Sequence, residues 1–122
     1  VPMGLCYPGK GASGDLGPVA ACARHWRAPM LAQLGAVELT LAVGRYAMVW
    51  HVPDFDGHLT NTVRNWRAYW PSLVPLPHPS PRNNGWFKAN PWFETDALPA
   101  LRARIGELLG QPAQPSATEQ LP

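Results

Sequence analysis

The chain has 122 residues, enough for one domain with a modest core. Hydrophobic residues make up 46% and charged residues 15%, which excludes a disordered polyelectrolyte. The formal charge of +2 is too small to mark a nucleic-acid binder by itself, so the placement of Arg and Lys must decide. Two cysteines cannot build a disulfide scaffold, and no secretory leader or membrane-length apolar run is seen, so the sequence reads as cytoplasmic. Oligomeric state has no signal in the sequence.

Residues 1–5 read as the end of a buried strand. Val1 is no initiator and the chain opens on apolar residues, so the expectation is the C-terminal portion of an N-terminally truncated domain. Residues 7–18 are rich in Gly and Pro and read as a loop. A helix is expected from Pro18, with Trp26, Met30 and Leu34 as its apolar stripe, Leu31 beside them, and a kink or break at Pro29. Residues 39–43 form a strand-length apolar run, followed by Gly44 and a helix to about His51, the start of a βα unit. After a turn at 53–58, residues 59–70 read as a helix with Leu59, Val63 and Trp66 on one face.

Residues 72–77 read as a last strand, placed at an edge or end by its prolines. A loop over 78–90 follows. Asn90 and Pro91 then read as cap and first helical position, with Glu94 and Asp96 near the positive end of that helix. Leu98, Leu101, Ile105, Leu108 and Leu109 form its buried face, up to Gly110. Residues 111–122 read as a disordered tail, leaving 1–110 as the folded unit. Alternating strands and helices argue for an α/β fold with a mainly parallel sheet, whose ligand site lies beyond the carboxyl ends of its strands.

Gly9-Lys10-Gly11-Ala12-Ser13-Gly14 matches the dinucleotide-binding pattern literally. Pro8 precedes it, however, and residues 15–18 delay the helix that must meet a pyrophosphate, so a flexible loop carrying one lysine is the better reading. Cys6 and Cys22, by spacing alone, are two free thiols. His25, His51 and His58 stand without polar neighbours. His78-Pro79-Ser80-Pro81-Arg82-Asn83-Asn84 concentrates an imidazole, a hydroxyl, a guanidinium and two amides on a backbone stiffened by prolines. By composition, a site loop and a stiff surface turn stand equal. Arg64, Arg67, Arg82 and Lys88 interleave with Trp66, Trp70, Trp86 and Trp92. Phosphate contacts with base stacking and a core with a solvated face both suit that pattern.

The segment from Leu76 to Asn83 resembles the second catalytic motif of uracil-DNA glycosylases, whose core is His-Pro-Ser. Met3-Gly4-Leu5-Cys6-Tyr7-Pro8-Gly9, Ser13-Gly14-Asp15-Leu16, Glu38-Leu39-Thr40-Leu41, Thr62-Val63-Arg64-Asn65-Trp66-Arg67 and Lys88-Ala89-Asn90-Pro91-Trp92-Phe93-Glu94 extend the likeness to residues 1–109. It is to a bacterial branch of that superfamily related to the family 4 enzymes. The resemblance implies a three-layer α/β/α fold around a central parallel sheet. It also implies a DNA-repair hydrolase that flips a nucleotide and cleaves the N-glycosidic bond of uracil or another damaged base. His78 would be the catalytic hydrogen-bond donor, Ser80 would hold a DNA phosphate, Pro79 and Pro81 would press on the backbone, and Arg82 and Asn83 would enter the minor groove. Cys6 and Cys22 would be half of a [4Fe–4S] site in a full-length parent, with no cluster held by this fragment alone. Two features depart from the pattern. The family's first catalytic motif is absent from this chain, and Pro2 stands where an asparagine reads the uracil edge. A non-catalytic DNA-binding module or an inactive fragment is therefore the alternative expectation.

Overall fold

A computed structural model describes residues 1–110; the tail expected over 111–122 lies outside the described residues. The first residues are not a strand. Arg27, buried at 4% exposure, draws the carbonyls of Val1 and Pro2 onto its guanidinium at 2.8 and 2.9 Å, so both are spent on a side chain. The glycine-rich stretch is likewise not all loop. β1 (Lys10–Gly11) and β2 (Gly14–Asp15) pair antiparallel in a short ribbon, closed by the Leu16 amide donating to Gly9 O at 2.9 Å.

The next helical stretch runs through α1 (Ala20–Cys22), a π-helical turn at Ala23–Arg27 and α2 (Ala28–Ala32). Pro29 does not break it. The wide turn falls just before the proline, whose ring and missing N–H preclude an ordinary i−4 bond. The expected apolar stripe is wrong here. Trp26 is 58% and Leu34 47% exposed, Met30 and Leu31 are half-buried, and Arg27 is the buried residue.

β3 (Thr40–Val43), α3 (Gly44–His51), α4 (Leu59–Arg64) and β4 (Leu73–Leu76) form a βα crossover, with β3 and β4 parallel and paired Thr40↔Leu73 through Val43↔Leu76. This gives the expected α/β character. The described sheets are this parallel pair and the small ribbon. The helix expected over 59–70 stops at Arg64, where Asn65 leaves helical geometry, and resumes as a 3₁₀ turn at Trp66–Ala68.

The loop expected over 78–90 is partly helical. A 3₁₀ turn at Pro81–Asn83 leads into α5 (Asn84–Ala89), because Trp86 and Phe87 pack inward against Phe93 with ring centroids 5.6 and 5.7 Å away. A π-helical turn at Phe93–Ala97 and α6 (Leu98–Leu108) complete the described chain. Leu101 is buried as expected, whereas Leu109 is 65% exposed, since the helix ends before it and Gly110 turns away at φ +66°. Ala42, Met48, Val52, Val63, Trp66, Phe93 and Ala97 form the core between sheet and helices. No helix among the described residues is long and apolar enough to cross a membrane.

Candidate functional site

His78 lies two residues beyond the carboxyl end of β4, after the buried Pro77. At the matching end of β3 the chain turns into α3 at Gly44, which is buried with φ +82°. A side chain at Gly44 would be strained in that conformation. A Cβ built there would also sit 3.8 Å from both Cβ and Cδ2 of His78, so the imidazole lies against bare backbone. Strand order, the Val43↔Leu76 register and one glycine thus fix where the exposed imidazole stands.

The loop is braced from within. The Asn83 side-chain amide donates to His78 O at 2.6 Å, and the Asn83 backbone amide donates to Ser80 O at 2.9 Å. The Ser80 hydroxyl oxygen accepts from the Arg82 amide at 3.3 Å, capping the 3₁₀ turn. Pro79 and Pro81 are exposed between these anchors. Arg82 reaches across to the ribbon, where Nη1 donates to Ser13 O at 3.3 Å. The sequence-predicted residues 78–83 therefore form one structured surface.

Behind this loop, α5 is tied down at two places. Trp86 Nε1 donates to Thr60 Oγ1 at 2.8 Å. Buried Asn90 donates from Nδ2 to Trp86 O at 2.8 Å, while its Oδ1 accepts from Trp92 Nε1 at 3.2 Å and Arg64 Nη2 at 3.3 Å. Asn90 was expected to cap a helix with its side chain; instead that side chain joins three segments. Trp66 is buried and Trp70, Trp86 and Trp92 are half-buried, so these rings are mainly packing. Arg64 and Arg67 lie over Trp92 and Trp66, at 5.3 and 4.4 Å from the ring centroids.

A polar notch of about 290 Å³ is lined by Arg45, His58, Thr60 and Asn61, with none of residues 78–83 in its wall. Arg45 follows Gly44 and donates to Gly57 O at 2.8 Å. A separate groove of about 300 Å³ runs between α1 and α3, lined by Met3, Val19, Tyr46, Val49 and Trp50, and does not include His78.

His51 is not the isolated histidine expected from sequence. Its Nε2 meets the Arg27 guanidinium, and burial first, then that positive neighbour, holds its pKa below the ordinary value. Burial also lowers the pKa of Arg27, whose guanidinium lies 5.4 Å from the Trp50 ring centroid. Gly44 is expected from sequence between strand and helix, but with no part in the site. Its signal was available, because a glycine wedged between a strand and a helix marks a turn that needs positive φ.

Cys6 is exposed and Cys22 half-buried, and the Leu5 amide donates to Cys22 Sγ at 3.3 Å. Among the described residues no three His, Cys, Asp or Glu side chains converge on one point. The chain's two cysteines fall short of the four thiolates a [4Fe–4S] cluster takes, so the residues present do not complete such a site.

A family model described as the uracil DNA glycosylase superfamily matches residues 3–102, from the segment before Cys6 through the His78 loop and into α6. With that match spanning most of its length, the chain belongs to the uracil DNA glycosylase superfamily.

Proposed function

We propose that the chain acts on DNA as a glycosylase, with His78 as the group that stabilises the departing base. The observation that carries this reading is the imidazole held against Gly44 at the carboxyl end of two parallel strands, where α/β folds bind ligands. A base in duplex DNA hides its glycosidic bond, so the nucleotide must first be extruded. When the bond breaks, its electron pair goes to the base and positive charge develops on the sugar. A hydrogen bond from His78 to the base oxygen opposes charge where it appears, as an oxyanion-hole donor does. Water then adds at the sugar carbon, and the proton it loses neutralises the departed base anion.

The other loop residues serve position. The Ser80 oxygen accepts from the Arg82 amide, which leaves the hydroxyl proton free for a DNA phosphate. Pro79 and Pro81 press on the DNA backbone beside the flipped nucleotide, and Arg82 and Asn83 lie toward the minor groove. Arg45, the residue after Gly44, offers a further positive charge for the DNA backbone. The finer assignments belong to this same reading: kinship with family 4, a three-layer α/β/α arrangement around a central parallel sheet, work in the cytoplasm, and Cys6 and Cys22 as half of a [4Fe–4S] site whose other ligands this chain does not supply. No catalytic step depends on the cluster.

The test is release of free base from uracil-containing single-stranded and duplex oligonucleotides. His78→Ala should lower the rate on the order of 10²–10³ fold. Release by the variant at the unsubstituted rate would remove His78 from the reaction. One observation favours a second reading, DNA binding without cleavage. Pro2, at the position of the uracil-reading asparagine, has no amide to offer, and its carbonyl is tied to Arg27. Affinity that falls steeply with salt while no base is released would support that reading.

A further inference from the structure

We infer that Arg82 is a positioning residue that latches the β1–β2 ribbon onto the His78 loop, with Gly14 as the seat for its guanidinium. This deepens the glycosylase reading and rests on it for its catalytic consequence. Two observations meet here. Arg82 Nη1 donates to Ser13 O at 3.3 Å across 69 positions of sequence. A Cβ built on Gly14 would lie 2.7 and 2.8 Å from Nη2 and Nη1 and 3.2 Å from Cζ, so the planar group occupies the space a side chain would take. Gly14 also has φ +129°, a conformation that L side chains rarely adopt.

The latch is anchored at both ends. On the ribbon, Tyr7 OH donates to Asp15 Oδ1 at 3.0 Å, and the Leu16 amide closes on Gly9 O. On the loop, the Arg82 amide binds Ser80 Oγ, and Asn83 binds His78 O. A continuous path thus leads from Tyr7, beside Cys6, through the ribbon to the backbone that carries His78. Guanidinium suits this task better than ammonium, because a flat fork can lie on backbone while donating from its edge. The latch uses one of five N–H groups and leaves others for phosphate.

The experiment is a double-mutant cycle on the chain, with Arg82→Ala, Gly14→Ala and the pair, read by amide hydrogen exchange at residues 9–16. Arg82→Gln replaces Arg82→Ala if that variant does not fold. Arg82→Ala should speed ribbon exchange about ten-fold, the effect of one charge-assisted hydrogen bond, and Gly14→Ala by at least as much, because backbone strain at φ +129° adds to the lost latch. β3 and β4 should keep their protection, and the pair should be no worse than Gly14→Ala alone, whose backbone strain remains whether or not Arg82 is present. Base release adds a readout that ribbon stability alone would not move. Gly14→Ala, with Arg82 still present to meet DNA, should lower kcat while KM holds, whereas Arg82→Ala should lower kcat and raise KM as well. Unchanged ribbon exchange in Arg82→Ala, or fully additive effects, would overturn the latch. So would a Gly14→Ala variant with full kcat where Arg82→Ala has lost it, since Arg82 would then act through DNA alone and not through the ribbon. Absence of base release from the unsubstituted chain would count against the glycosylase reading alone, because the exchange cycle needs no DNA.

Discussion

The two halves of the molecule are held together by different means. From α4 to α6 the chain is fastened by aromatic packing. Phe93 is 4% exposed, and Trp86 meets Phe87, Trp92 and Phe93 edge-on with centroids 5.4 to 5.9 Å apart. The first half shares that core through Ala42, Met48 and Val52, but it leaves Tyr7, Trp26 and Val49 each more than half exposed and gathers its N-terminal segments around a buried cation. Arg27 binds two carbonyls and His51 and has no carboxylate partner among the described residues. The difference teaches where the His78 loop gets its rigidity. Its foundation is α5 and the aromatic half, while the ribbon that touches it hangs from the cationic half.

Four substitutions or conditions should sharpen or break this contrast. Phe93→Ala should cost about 3–5 kcal/mol, because a well-packed site cannot collapse around the cavity. Denaturant unfolding measures it, and a cost below about 1 kcal/mol would mean the aromatic cluster is not the foundation. Arg27→Ala should cost less, about 1–3 kcal/mol, from the carbonyls left without a donor. Its effect should concentrate in the first half, so hydrogen exchange should quicken at residues 20–32 while α6 keeps its protection. Uniform loss of protection would erase the division between halves.

Thr60→Val should cost about 0.5–1.5 kcal/mol by removing the Trp86 Nε1 acceptor at nearly constant volume. It should also loosen α5, visible as faster exchange at the amides of residues 84–89. The smallest effect expected is that of pH on His51. Its folded pKa is depressed below 6.5, so the folded state prefers the neutral ring. Above about pH 6.5 that stability is complete. As pH falls below this value the unfolded chain takes up the proton first, and stability declines until the folded ring protonates as well. Thermal midpoints of the chain and of His51→Gln, compared between about pH 7.5 and about pH 5.5, should diverge only in slope. Identical slopes would place the depressed titration elsewhere.

The parts legible in the sequence were those fixed by local chemistry. The apolar run before Gly44 and the proline-bounded run before His78 both became strands, and the loop between Pro77 and Asn83 carries the polar side chains together. Residues 84–89 fall within the stretch read as a loop over 78–90, and Asn84 and Gly85 are poor helix formers. Tertiary packing of Trp86 and Phe87 overrode that propensity. The helix around Arg27 failed for a different reason. A four-residue spacing assumes an unbroken α-helix, and the π-helical turn at Ala23–Arg27 widens the spiral, so Trp26 turns outward and Arg27 inward. The contact between Gly14 and Arg82 leaves no local trace at all, since it joins positions that only the fold brings together.

The placement of the six tryptophans gives the protein a built-in optical map. Trp26 and Trp50, both in the cationic half, are 58% and 38% exposed, whereas Trp66, at 5%, sits in the core of the other. A neutral aqueous quencher should therefore dim one population in the native state and reach the other only through opening of the core. The guanidinium of Arg27 stands 5.4 Å from the Trp50 ring centroid, so the colour of that indole reports directly on whether the buried cation is seated. Loosening around Arg27 and global unfolding would then appear as two separable emission changes, without any dye or label.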